Sequence, residues 1–171
     1  MIQLKDIPTS LAWSFTHLLP GTFKRNKKQF AHLDYPILAP LPTAKTKTQP
    51  LELPLGNGPF IYFVVDASSR LCYIGKSQEE SVLKRWIRPG NGGPVTHYWT
   101  HSIQGGGSVF NIAEGLRRSE GPYHLHVTSL KSLLSKFGAE IGVNQSMAVE
   151  AALVVAENFL IRAMQPAWNH K

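Results

Sequence analysis

The chain has 171 residues, enough for one large domain or for one domain with an extension. Hydrophobic residues make up 43% and charged ones only 17%, which excludes a fully disordered chain and supplies material for a core. A formal net charge of +7 and a pI near 9.7 suit a polyanionic partner, because Lys and Arg on phosphates release condensed counterions.

The start, Met1 to Pro8, lacks the charged-then-apolar pattern of a secretory signal, and no apolar stretch approaches the ~20 residues of a membrane span. No membrane partner is therefore expected. Residues 1–57 hold seven of the twelve prolines, a density that blocks long helices and central strands. They also carry the basic cluster Lys24-Arg25-Asn26-Lys27-Lys28, while Leu11, Trp13, Phe15, Leu18 and Leu19 are too apolar for a free tail. This segment reads as an ordered arm lying on the main domain, with Pro36 to Pro54 as an extended connector.

Residues 58–171 are the main domain. Phe60 to Val65 is rich in β-branched and aromatic residues and predicts a strand; Asp66-Ala67-Ser68-Ser69 is turn chemistry, and Leu71 to Ile74 is the returning strand of a hairpin. The single cysteine, Cys72, lies in that strand and reads as a packed thiol; with no disulfide possible, a reducing, cytoplasmic setting is expected. Glu79 to Trp86 predicts a short helix ended by Pro89-Gly90, and Gly90 to Gly107 a glycine-rich loop carrying His97, Trp99 and His101. Asn111 to Arg118 looks helical, Tyr123 to Val127 alternates as a third strand, and Leu130 to Phe137 predicts a helix ending at Gly138.

Ser146 to Met164 is the strongest element, a helix stopped before Pro166. Ala148, Ala151, Ala152, Val154, Val155, Phe159 and Leu160 cover much of its circumference, so it is expected to be well buried. Glu150 and Glu157 interrupt it seven residues apart, hence on one face. An ionised carboxylate in such a setting is costly unless it meets a cation, a donor or solvent, so that face either meets water or lines a site. The expected class is α/β of the α+β type: a small, mainly antiparallel sheet of about three strands, with the C-terminal helix on one face and other helices flanking it.

Several motifs together carry a resemblance. Phe60-Ile61-Tyr62, ten intervening residues and Tyr73-Ile74-Gly75-Lys76 form the first pair; Leu83-Lys84-Arg85 follows on the short helix. Glu157 is then followed by Pro166 at plus nine and Asn169 at plus twelve. This ordered set resembles the GIY-YIG nuclease superfamily over Gly58 to Asn169. The chain departs from the family at Phe60, where glycine is usual, at the Tyr73-to-Arg85 spacing, two longer than in repair-type members, and at Pro89, where many members have His or Tyr. His97, Tyr98 or His101 from the loop are candidates to substitute there.

The resemblance implies a metal-dependent DNA endonuclease. Tyr62 would be the general base that activates water, and Glu157 would hold a divalent ion, Mg²⁺ with Mn²⁺ as a substitute, that stabilises the leaving 3′-oxygen. Arg85 would clamp the scissile phosphate, with Lys84 as the rival for that role. Tyr73 would hydrogen-bond the phosphate or a water, Lys76 would add a second positive contact and Asn169 would support the site structurally. Glu150, on the same helix face, is the alternative metal ligand. Lys24, Arg25, Lys27 and Lys28 of the arm, Lys84 and loop residue Trp99 are the candidate DNA contacts, from their mix of charge, aromatic surface and flexible backbone.

Other readings fit less well. Gly75-Lys76-Ser77 copies the end of a phosphate-binding loop, but the glycine that motif needs five residues earlier is Arg70. His97 with His101, or His124 with His126, have spacings seen in zinc sites, yet no cysteine pair accompanies them. A DNA-binding module with catalysis lost would tend to have lost at least one of Tyr62, Tyr73, Arg85, Glu157 or Asn169. Among nucleases, a stand-alone domain with a short arm resembles the small restriction enzymes, and secondly the single-strand-specific enzymes. One site cuts one strand, so duplex cleavage would use a homodimer, sequential nicks or a second binding event.

Overall fold

The computed structural model describes residues 2–17, 24–26, 30–35, 38–39, 58–78, 87–88, 96–97, 115, 121–144 and 146–169; for 17, 24–26, 30–35, 38–39, 87–88 and 96–97 it describes the backbone alone. Strands β1 (Ser10–His17), β2 (Lys24–Asn26), β3 (Phe30–Tyr35) and β4 (Leu38–Ala39) precede β5 (Phe60–Asp66) and β6 (Leu71–Ser77). After the short β7 (Ile87–Arg88) and β8 (Thr96–His97) come β9 (Tyr123–Ser129), helix α1 (Leu130–Ile141) and helix α2 (Val149–Met164).

Strand β5 is the middle of the predicted three. It pairs antiparallel with β6 on one side and β9 on the other, and six of its seven residues are buried. A strand covered on both faces needs a continuous apolar run rather than alternation, and Phe60 to Val65 supplies one. The turn to β6 is held by one carboxylate. Asp66 Oδ1 accepts the Ser68 and Arg70 N–H groups at 2.9 and 3.0 Å, and its Oδ2 accepts Arg70 Nε at 3.0 Å. Ser69, at φ 60°, takes the left-handed position that closes the turn.

The sheet is larger than the three strands expected. Its order is β4-β1-β9-β5-β6, and every pair in it is antiparallel. The extra strands come from the segment read as an arm. β1 runs beside β9, with Trp13 opposite Leu125 and Phe15 opposite Tyr123, and both aromatic rings are buried. Strand pairing satisfies the outer edge of β9 and buries those rings at once, which an arm lying across the surface would not do. The sheet and the two helices make a mixed α+β fold. β2 with β3, and β7 with β8, form separate two-stranded ladders.

Successive side chains leave a strand on opposite faces. Ile61, Phe63 and Ile74 point to the helices and share a cluster with Leu133 and Phe137 of α1, Leu153 and Leu160 of α2, and Ile7 of the N-terminal turn. The opposite face is aromatic. Trp13 stacks on Phe15 at 4.5 Å between centroids, Phe15 on Tyr123 at 5.7 Å, and Tyr123 meets Trp168 edge-on at 5.3 Å.

Both helices differ from expectation at one end. β9 passes straight into α1, where the Ser129 hydroxyl accepts the Ser132 N–H at 3.1 Å as an N-cap. α1 runs through Gly138 instead of ending there, and stops at Gly142, whose φ of 77° is left-handed. Glycine inside a helix costs only about 1 kcal/mol, less than burying Ile141 one turn after Phe137 returns. α2 begins at Val149, three residues later than expected, because Asn144 Oδ1 captures the Ser146 N–H at 3.1 Å and its hydroxyl at 2.8 Å.

Helix α2 is also less enclosed than its composition suggests. Ala152, Leu153, Ala156 and Leu160 are buried, whereas Ala148 and Ala151 are exposed and Val149 and Val154 are 55% and 38% exposed. One apolar stripe meets the sheet, and the remaining small apolar residues serve helix propensity. Among the described residues no helix is long and apolar enough to cross a membrane.

Asp66→Ala removes the acceptor for three donors in the β5–β6 turn. It should lower unfolding free energy by about 1–2 kcal/mol in urea titration, whereas Arg70→Ala, at an exposed position, should cost little.

Candidate active site

The hairpin brings the two motif tyrosines together. Tyr62 is opposite Gly75 and Val64 is opposite Tyr73, so Tyr62, Tyr73 and Gly75 share the aromatic face of the sheet. The Tyr62 and Tyr73 ring centroids are 6.1 Å apart, tilted by 33°, and the residues are 3% and 4% exposed. Gly75 makes this arrangement possible. A Cβ at that position would fall 2.4 Å from Tyr62 Cζ and 2.5 Å from its hydroxyl oxygen. The phenol therefore lies across the β6 backbone, with its hydroxyl over Gly75.

The next residue, Lys76, leaves β6 on the other face, the one that carries α2. Its ammonium forms an ion pair with Glu157 Oε2. Glu157 flanks the buried stripe of α2, one turn from both Leu153 and Leu160, and its side chain is 15% exposed against 36% for Lys76. A carboxylate so shielded needs a cation or donor, and here a lysine supplies it. Glu150, in the first turn of α2, is exposed, where its charge suits the helix N-terminus. The two acids share a helix face by spacing but not by environment, and Glu157 is the one drawn to the hairpin.

Asn169 reaches the same strand from outside. Its Oδ1 accepts the Ile74 N–H and its Nδ2 donates to the Ile74 carbonyl, both at 2.8 Å, so the side-chain amide acts as a neighbouring strand residue. The preceding backbone continues the pairing: Ala167 N–H donates to the Leu71 carbonyl at 3.3 Å and Trp168 N–H to that of Cys72 at 2.7 Å. Left-handed Gln165, at φ 48°, and Pro166 end α2 and turn the tail onto the edge. Trp168 then buries its indole against Tyr123, with Gly115 so close that a Cβ there would fall 2.3 Å from the ring.

These groups flank one short stretch of β6. The Tyr62 hydroxyl lies over Gly75, the Lys76–Glu157 pair springs from the following residue, and the tail's pairing reaches Ile74 just before them. Tyrosines and ion pair leave the strand on opposite faces of the sheet, so the structure brings Tyr62 to Tyr73 and Lys76 to Glu157 as two separate pairs. Sequence reasoning did not find the Lys76–Glu157 contact, having assigned lysine to the phosphate and glutamate to a metal. Its signal was two opposite charges, each set among apolar residues. Trp168 was also missed.

Arg85, Lys84, Trp99, His101, Lys27 and Lys28 lie outside the described residues. His97 is in β8, and Lys24 and Arg25 are in β2 opposite Tyr35 and Asp34, described by backbone alone. The donor chemistry at Glu157 fits Mg²⁺: one shielded carboxylate already accommodates a positive charge, and Mg²⁺ commonly takes one or two carboxylates and keeps its waters. Among the described residues no group of three or more His, Cys, Asp or Glu could form an all-protein metal cage.

Other titratable groups have structural explanations. Cys72 is fully buried, and burial first, then the Asp66 charge, pushes its thiol up to about 11, as expected of a packed thiol. His124 Nδ1 is 2.8 Å from Ser14 Oγ, opposite it on β1. His126 is held below the usual imidazole range by burial and then by His124. It lines a groove of about 640 Å³ with Lys5, Thr9 and Ser69, which excludes Tyr62, Tyr73 and Glu157.

Gly75→Ala should displace Tyr62 and lower unfolding free energy by about 1–3 kcal/mol, because the colliding ring is buried and closely packed. Urea midpoints compared with those of a Tyr62→Ala, Gly75→Ala double variant should show the alanine tolerated once the ring is gone.

Comparison with protein-family profiles, with curated proteins and with solved structures finds no significant match.

Proposed function

We propose that the chain is a metal-dependent DNA endonuclease of the GIY-YIG type, with a small restriction-type role favoured over a single-strand-specific one. The observation that supports this reading is that one stretch of β6 carries Tyr73 beside Tyr62 on one face of the sheet and Lys76, paired with the shielded Glu157, on the other. Glu157, 81 residues from Lys76 in the chain, contacts it in the fold.

Hydrolysis of a phosphodiester needs water attack at phosphorus, neutralisation of the phosphoryl charge and departure of the 3′-oxygen. Tyr62 takes the proton of the attacking water at its phenolic oxygen. A free tyrosine has a pKa near 10, so positive charge around it is required to favour the acceptor form. Tyr73, at its side, donates a hydrogen bond to the phosphate or positions the water. Arg85 clamps the phosphate oxygens with its planar fork. Glu157 would hold Mg²⁺, which when bound supplies charge neutralisation at the leaving oxygen. Asn169 is a positioning residue: it fixes the β6 backbone on which Tyr73, Gly75 and Lys76 are mounted.

Cleavage of supercoiled, linear and single-stranded DNA, with Mg²⁺ or EDTA, tests the reading directly. Wild type should give discrete Mg²⁺-dependent products, and Glu157→Ala should lose them by at least ~10³-fold. Tyr62→Phe, which removes one hydroxyl and keeps the ring, should lose cutting while circular dichroism shows the fold retained. Binding without cutting, in any divalent metal, would instead support a DNA-binding module in which these residues are structural.

The arm supplies a second test. Replacing Lys24, Arg25, Lys27 and Lys28 together with alanine should weaken DNA binding and flatten the dependence of affinity on salt. The logarithmic slope should fall by up to about 0.9 for each phosphate that is no longer neutralised. An unchanged slope would remove the arm from the interface.

A further inference from the structure

Glu157 has one oxygen committed to the Lys76 ammonium and is largely shielded, whereas Lys76 is about one third exposed at 36%. The two partners differ in freedom. The glutamate is fixed on the flank of a packed helix, one turn from two fully buried leucines. The lysine rises from a sheet strand on a four-carbon stem, and its charged end reaches the solvent boundary. A shielded carboxylate cannot be left without a cation, but Lys76 can leave it, because water is at hand to solvate the ammonium.

We propose that Lys76 is an internal competitor for the divalent ion at Glu157: it holds the carboxylate in the resting protein and is released from it when the ion binds. This rests on the reading of Glu157 as the metal ligand. No bond is made or broken beyond the exchange of one cation for another, and the Lys76 ammonium keeps its proton throughout. Two consequences follow from the geometry. The apparent metal affinity is reduced by the fraction of Glu157 that is paired, as for any site whose competent state is partly populated. The freed ammonium, on the helix-bearing face of β6, becomes available to a phosphate oxygen only after metal has loaded. Metal and phosphate contacts are thereby ordered, and the resting site carries no uncompensated buried charge.

Metal binding can be measured without DNA and without catalysis. Free Mn²⁺ read by electron paramagnetic resonance should show Lys76→Met binding about fivefold tighter than wild type, the scale of a partly exposed ion pair. Glu157→Ala should abolish binding in either background. In wild type, the Lys76 ammonium resonance, slowed in exchange while paired, should change to that of a solvated lysine on saturation with Mg²⁺. An unchanged or weaker Mn²⁺ affinity in Lys76→Met, or an ammonium signal indifferent to Mg²⁺, overturns the exchange. If wild type nevertheless cuts DNA through Glu157, the nuclease reading stands without it. Tighter binding in Lys76→Met without cleavage of any DNA would leave the exchange in place and remove the nuclease. Absence of Glu157-dependent metal binding in both proteins overturns both.

Discussion

Strand β6 lies at the end of the sheet, and among the described residues no further strand pairs with its outward peptide groups. The C-terminal residues provide the partners. Asn169 answers both groups of Ile74 with one side chain, and the backbone of Ala167 and Trp168 covers Leu71 and Cys72. An edge left open would invite pairing with another chain and let the hairpin end shift in register. Register matters here more than elsewhere, because a slip of one residue would exchange the faces of Tyr73, Gly75 and Lys76. The candidate site depends on that clamp although Asn169 itself is one residue removed from the groups with chemistry.

The same tail fixes α2. Glu157 is two turns before the helix end, and from Gln165 onward the chain is tied to the strand that carries Lys76. Helix and strand are thus joined through the buried stripe of Leu153, Ala156 and Leu160, and through the tail. The ion pair bridges two elements already held at fixed separation, so its formation orders little beyond the two side chains themselves. This is the circumstance in which a half-buried pair costs least conformational entropy.

The central hairpin was legible because its signals are local: β-branched and aromatic runs either side of Asp66-Ala67-Ser68-Ser69. The class of α1 and α2 was legible for the same reason, from period and stop signals, while their ends were not. Gly138 was overruled by Ile141, and Ser146 was diverted by Asn144; both outcomes depend on neighbours that a local pattern does not weigh. β1 left a trace, Trp13 and Phe15 alternating with Ser14 and Thr16, but the surrounding prolines suggested an arm. The Lys76–Glu157 pair was out of reach of periodicity, since nothing local says which of several acids a lysine will meet across 81 residues. Asn169 stood out through its place in a spaced signature; its bidentate bond to Ile74 is a matter of three dimensions.

Gly75 has a consequence best put in the language of genetics. Every other residue carries a Cβ, and any Cβ there enters the Tyr62 ring, so no substitution at this codon is conservative. Tolerance at position 75 therefore passes through position 62: only an allele that has given up the ring can accept a side chain opposite it. The two positions form a suppressor pair, and a lineage that needs the phenol is bound to keep the glycine as well. The glycine of such a hairpin is then retained without touching any substrate, as the shadow of the tyrosine that lies across it.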